Sequence, residues 1–233
     1  MWTVKVRREE RGTKVEVRLK EKIPGVFWPM HQAIRRGEVT EVVAKGGRGS
    51  GKSSYLSMEL VWQLLRHPDC HAVVLRKVGG TLRNSVYNQI VWAIGELGCA
   101  GYFRCTVSPM ECTYLPTGQK ILFRGMDDPL KLASITVPAG VLCWVWIEEA
   151  FEIEAEEDFD LIDLSVPRGT VPPPLFKQTT LTFNPWSGRH WLKRRFFDKP
   201  ADNVRTFSTT YLCNEWLDDT DRAVFDRMRR ENP

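Results

Sequence analysis

The sequence is poor in what metal centres, disulfide scaffolds and membrane segments are made of. Its 233 residues include only 4 histidines, with no HxxxH pair and no Cys/His cluster. The 6 cysteines (Cys70, Cys99, Cys105, Cys112, Cys143 and Cys213) form no CxxC. A zinc site and a disulfide framework are therefore not expected, and a reducing cytosol fits this cysteine usage best. No apolar run approaches the roughly 18 residues of a membrane span, and the opening WTVKVRREER lacks the apolar stretch of a secretory signal. There is no internal repeat, and Val171-Pro172-Pro173-Pro174 is too short to be a domain linker. Excess charge is small too: 33 basic against 29 acidic residues leave +4, too little to establish a nucleic-acid partner.

What is present describes a folded protein. Hydrophobic residues make up 42% and charged residues 27%, which excludes overall disorder, and the length predicts one large domain or one domain plus a stub. The charges are unevenly placed. Nine acids fall between Glu148 and Asp163, whereas Arg189, Lys193, Arg194, Arg195 and Lys199 fall close together with Asp198 as the single acid among them.

Alternation of apolar and polar residues at Val4, Val6, Val15, Val17 and Leu19 around Gly12 reads as an N-terminal hairpin. From residue 39 the pattern becomes a buried strand, Val39 to Ala44, a glycine-rich turn, and an apolar helix from Lys52 to Leu65. A strand from His71 to Arg76 and a helical stretch through Val86, Ile90, Ile94 and Leu97 follow. Strands alternating with helices predict a central, mainly parallel sheet flanked by helices. FRCTV, ECTYL and KILFR, the last two joined at Thr117-Gly118, predict an antiparallel hairpin insertion. Val141 to Ile147 reads as a central strand and Gln178 to Phe183 as another. A helix near His190 to Phe197, a strand from Val204 to Thr209 and a helix from Asp219 complete the pattern. It divides into an N-terminal extension (1–25), a P-loop domain (26–215) and a C-terminal helix or linker stub (216–233).

Gly46-Gly47-Arg48-Gly49-Ser50-Gly51-Lys52-Ser53, followed by Ser54, satisfies GxxxxGK[ST] and lies between a buried strand and a helix start. Glycines allow the turns that aim successive amides at a phosphate, and the helix N-terminus adds partial positive charge. Lys52 is placed to reach the β and γ phosphates of ATP, and Ser53 to ligate Mg²⁺. The apolar strand ending at Ile147 then delivers Glu148 and Glu149 to the edge where parallel sheets bind ligands. Glu148 is assigned to the metal and Glu149 to the attacking water, a pairing that favours hydrolysis over transfer to an acceptor hydroxyl. The acids from Glu152 to Asp163 read as a solvated helix face.

These residues resemble the large terminase subunit of tailed bacteriophages and prophages, an ATP-driven DNA-packaging motor. The resemblance rests on Phe27-Trp28-Pro29-Met30-His31, on Lys45 to Ser54, and on Val74-Leu75-Arg76-Lys77 with Thr81 to Val86. It continues through Phe123 to Pro129 with Lys131-Leu132, Trp146-Ile147-Glu148-Glu149-Ala150 and Thr182-Phe183-Asn184-Pro185. It implies a P-loop NTPase of the ASCE type. It also implies that Trp28 and Gln32 lie by the adenine and that Asn184 belongs to the motif coupling hydrolysis to movement. An arginine for the transferring phosphoryl is implied as well: Arg48 in cis, or Arg76, Arg83 or Arg124 from a neighbouring subunit. The family's C-terminal RNase H-like nuclease has no counterpart in this sequence, so DNA cleavage is expected of a longer protein.

The implied partners are double-stranded DNA, the portal protein of the procapsid, the small terminase subunit and further copies in a homo-oligomeric ring. The place is the host cytoplasm, at the portal vertex, with no membrane. Arg189, Lys193, Arg194 and Arg195 are the candidates for DNA phosphate contact, since a translocating motor grips any sequence. Competing readings are another nucleic-acid-dependent P-loop ATPase of helicase type, a P-loop kinase, and a non-catalytic nucleotide-holding module.

Overall fold

The computed structural model describes residues 3–7, 14–127, 132, 135–166, 170–173 and 175–231. The N-terminal hairpin forms as expected. Strands β1 (Thr3–Arg7) and β2 (Lys14–Arg18) pair antiparallel with Val4 opposite Val17 and Val6 opposite Val15, while Gly12 lies outside the described residues.

An eight-stranded sheet follows. It comprises β3 (Glu41–Gly46), β4 (Cys70–Arg76), β5 (Phe103–Val107), β6 (Met110–Tyr114), β7 (Lys120–Gly125), β8 (Val141–Glu148), β9 (Gln178–Phe183) and β10 (Val204–Thr209). The spatial order is β10-β3-β9-β8-β4-β7-β6-β5. Strands β10 to β7 in that order run parallel, and β6 and β5 append antiparallel, so the insertion is the sheet's own edge. This is the central, mainly parallel sheet with an antiparallel insertion expected from the sequence pattern.

Period-two burial explains why these strands are central. Val42, Ala44, Val74, Trp144 and Trp146 face one core, against α1 (Trp28–Arg36), α2 (Lys52–Arg66) and α3 (Asn88–Glu96). Val43, Val73, Leu75, Val145 and Ile147 face the other, against Phe159 and Ile162 of α4 (Glu156–Ser165) and against Trp191, Leu192 and Phe196. Short helix α5 (Trp191–Lys193) continues as a wide helical turn over Arg194–Asp198, and α6 (Asp219–Glu231) closes the described chain. No helix among the described residues is long and apolar enough to cross a membrane.

One expectation needs correction. Cysteine spacing argued against disulfides, yet Cys70 is joined to Cys143 and Cys105 to Cys112. Both pairs link neighbouring strands, β4 to β8 and β5 to β6, and strand adjacency is a product of folding that spacing does not reveal.

Candidate active site

Parallel register brings the expected residues to one edge of the sheet. Glu148 lies opposite Thr182, and Lys45 opposite Phe183, so the ends of β3, β8 and β9 are level. Arg76 ends β4 one step past the Leu75–Ile147 pairing. An open cleft of about 490 Å³ results, lined by residues 47–54, Arg76, Glu149, Phe151, Glu152, Asn184, Trp186 and Asn214.

The loop has the backbone that its glycines permit. Gly49 (φ +74) and Gly51 (φ +76) are left-handed, and Gly51 caps α2 at the point where its free amides open into the cleft. Lys52, only 8% exposed, donates from Nζ to Gly46 O (3.0 Å) and to Asn184 Oδ1 (2.7 Å). Burial lowers its pKa, with Glu149 and Glu148 pulling partly back. The lysine and the Asn184 amide, 132 residues apart, thus form one unit.

The two acids differ. Glu148 Oε2 is buried without a hydrogen bond and faces Arg76 Nε at 3.6 Å. Burial raises the Glu148 pKa to about 7, against the opposing pull of Arg76. A buried carboxylate oxygen answered by a cation is donor chemistry that suits a hard divalent ion. Glu149 is half-buried and has φ 52 and ψ 48, the one positive-φ residue other than glycine among the described residues. Left-handed backbone costs a side-chain-bearing residue about 1–2 kcal/mol, and such strain concentrates at functional sites.

The raised carboxyl predicts a pH effect on the metal-free protein. A group whose folded pKa exceeds its unfolded value stabilises the fold as pH falls through the folded pKa. Lowering pH from 8 to 6.5 should therefore raise stability by about 1 kcal/mol through Glu148. His67, His71 and His190, whose pKa values burial lowers, oppose this gain within the same window, because their unfolded counterparts are already half protonated at pH 6.5. Thermal melts of wild type and Glu148→Gln check this: the stability difference between them should shift by about 1 kcal/mol in favour of wild type as pH falls from 8 to 6.5.

Other expected residues are placed differently. Arg48 is exposed on the loop and lines the cleft. Arg76 lies in the chain's own cleft, with Nη2 3.5 Å from Glu152 Oε1, so its position is a cis one. Arg83 is exposed, and Arg124 Nη1 donates to Phe123 O. Trp28 and Gln32 are not among the cleft-lining residues; the Trp28 ring meets His31 edge-on at 5.4 Å, and Gln32 is exposed. Asp128, Pro129 and Lys131 lie outside the described residues.

The basic segment is largely answered from within. Lys193 pairs with Asp198 (2.6 Å), Arg194 with Glu156, and Arg195 with Asp160 (2.5 Å) and Glu156 (3.4 Å). The Arg195 guanidinium also covers Phe159 at 4.7 Å. Two acids of α4, Glu156 and Asp160, are thus partners of the turn after α5, while Glu157 and Asp158 stay on an exposed face, and Arg189 is the exposed candidate without such a pair among the described residues. Arg195→Ala should lower stability by about 1–3 kcal/mol, since its pairs and its aromatic contact go together. Arg189→Ala should leave the melting temperature unchanged.

The phage terminase large subunit family matches residues 39–233. The chain belongs to that family. The terminase large subunit of Bacillus phage SPP1 is 31% identical over 219 residues, covering 93% of this chain and 52% of that protein. The chain therefore spans about half the length of that relative. Its fold matches the large terminase of a thermophilic bacteriophage (TM-score 0.67, 16% identity, 91% of this chain and 50% of that one). It also matches the large terminase ATPase domain of Thermus phage P74-26 (TM-score 0.56, 15% identity, 87% of each chain).

Sequence reasoning missed Arg76 as a cis residue, along with Glu152, Trp186 and Asn214. Trp186 follows Asn184-Pro185 directly, so continuing the motif by one residue would have included it. Asn214 carries no local signal; only the docking of the segment after β10 brings it to the loop.

Proposed function

We propose that this chain is the ATPase part of a DNA-packaging motor, hydrolysing ATP to move double-stranded DNA into a procapsid. The observation that supports it best is the convergence of Lys52, Asn184 and Glu149 on one cleft beside loop 46–53, with Glu148 at the same sheet edge, level with Thr182. The large terminase of the thermophilic bacteriophage, which has the same fold, was also solved with ATP-γ-S (TM-score 0.60, 17% identity), which supports the cleft as a nucleotide site.

In this reading the loop amides and Lys52 hold the β and γ phosphates, and Ser53 and Glu148 hold Mg²⁺, which neutralises phosphate charge when bound. Glu149 orients and deprotonates the water that attacks the γ phosphorus. Asn184, tied to Lys52, registers whether that phosphate is present. Arg48 is the cis arginine; a neighbour's Arg83 or Arg124 can complete the site in a ring. Trp28 and Gln32 remain assigned to the adenine side on the strength of family resemblance alone. DNA contact falls to Arg189, with Lys193, Arg194 and Arg195 joining it when their acids release them. The portal protein, the small terminase subunit and action at the portal vertex in the host cytoplasm follow from the family reading, as do the domain limits 1–25, 26–215 and 216–233.

Phosphate release measured with and without double-stranded DNA, for wild type and Glu149→Gln, tests the reading. Hydrolysis that depends on Glu149 and rises with DNA is expected. Transfer to a small acceptor independent of DNA would replace the proposal with a kinase.

A further inference from the structure

The segment from Thr210 through α6 touches the phosphate loop in a way the catalytic reading does not use. Asn214, 5% exposed, donates from Nδ2 to Gly49 O at 2.7 Å and accepts the Trp216 backbone N–H at 3.0 Å. Phe225 of α6 lies so close that a Cβ on Gly49 would stand 2.5 Å from its ring. Tyr211 stacks on Phe225 (5.2 Å) and donates to Asp226 Oδ1 (2.7 Å). Trp216 stacks on Phe27 (6.2 Å), which stacks on Tyr55 of α2 (4.5 Å).

A trans peptide is planar, with its C=O and N–H pointing opposite ways. Fixing the Gly49 carbonyl therefore fixes the Ser50 N–H, which points back across the loop toward Gly47 O at 3.4 Å. Glycine has no side chain to restrain its own torsions, so the restraint on Gly49 comes from Asn214 and Phe225 outside the loop. Helix α6 buries none of its residues, and Val224 (42%) and Met228 (54%) are exposed. Its seat on the domain is thus small and centred on the loop.

We propose that Asn214 is a positioning residue for the phosphate loop, and that with Trp216 and Phe225 it couples loop geometry to the docking of α6. A polyphosphate held by the loop amides fixes the Gly49–Ser50 peptide and so strengthens the seat of α6. Docked α6 in turn favours the loop shape that binds polyphosphate, since coupling between two binding equilibria is reciprocal. The inference rests on reading residues 46–53 as the nucleotide site.

The test is ADP titration by calorimetry on wild type, Asn214→Leu, Asn214→Asp and Phe225→Ala, with hydrogen exchange of the 216–231 amides with and without saturating ADP. Asn214→Leu keeps the size and removes the donor without adding charge; its ADP Kd should rise about tenfold, the worth of one buried hydrogen bond. ADP should slow exchange in α6 of the wild type, and this protection should vanish in Asn214→Leu. Phe225→Ala should speed α6 exchange and weaken ADP binding as well. A loss confined to Asn214→Asp would be a charge effect and would overturn the proposal. So would a lowered melting temperature with unchanged Kd in Asn214→Leu, or absence of ADP-dependent α6 protection in the wild type, an outcome that needs no variant to fold. If wild type binds no ADP, the nucleotide-site reading itself fails; if it binds and Asn214→Leu binds equally, the coupling alone fails.

Discussion

Glu149→Gln should lower ATP turnover by about 10² to 10⁴, the range for loss of a positioned general base, while ATP binding stays within a few fold. The amide keeps the length and the left-handed backbone of Glu149 but cannot take a proton from water. Glu149→Gly separates chemistry from strain. It removes the same carboxylate and also the Cβ that makes φ 52 unfavourable. Strain relief of about 1–2 kcal/mol outweighs the extra unfolded-state freedom of glycine, about 0.4–1 kcal/mol. Glu149→Gly should therefore be as stable as wild type or slightly more so, and as inactive as Glu149→Gln. Thermal melts and phosphate release on the same preparations check both halves. Wild-type hydrolysis by Glu149→Gln would remove the residue from the mechanism, and a marked loss of stability in Glu149→Gly would remove the strain from the account.

How far the sequence could be read depended on whether the relevant neighbour was local or distant. The loop, its lysine and the two acids were legible because a strand, a turn and a helix start are a local pattern. Parallel strands also present all their C-terminal ends on one edge, whatever their order. Asn184 was legible for the same reason, at the tip of Gln178–Phe183. Strand order was not legible, and with it went the facts that depend on adjacency. Arg76 meets Glu148 because β4 lies beside β8, and Cys70 meets Cys143 for the same reason. The charge runs misled in a physical way. Read singly, one looked like a solvated face and the other like a DNA grip, yet α4 packs beside the turn after α5 and the two runs answer each other. The C-terminal segment was legible only as a helix or linker stub, because its influence passes through contacts of Asn214, Trp216 and Phe225 that no local pattern announces.

Lys52→Ala should act on binding rather than on the chemical step. In this protein Lys52 is a desolvated cation whose two hydrogen-bond acceptors, Gly46 O and Asn184 Oδ1, are neutral. The charge it needs is therefore supplied by the ligand: truncating one partner of a buried, hydrogen-bonded charge pair costs about 2–5 kcal/mol. ADP and ATP affinity should fall at least about thirtyfold. Without nucleotide the sign is different. Removing a buried charge that has no anion in hydrogen-bond contact leaves only a small lost tether between β3 and Asn184, so the melting temperature should stay close to that of wild type. Nucleotide stabilises the folded state in proportion to the logarithm of its concentration over Kd, so a concentration that raises the wild-type melting temperature clearly should barely move that of Lys52→Ala. Full nucleotide stabilisation of Lys52→Ala would mean that the phosphates lie elsewhere, and the roles of Ser53, Glu148 and Glu149 would fall with that of the lysine.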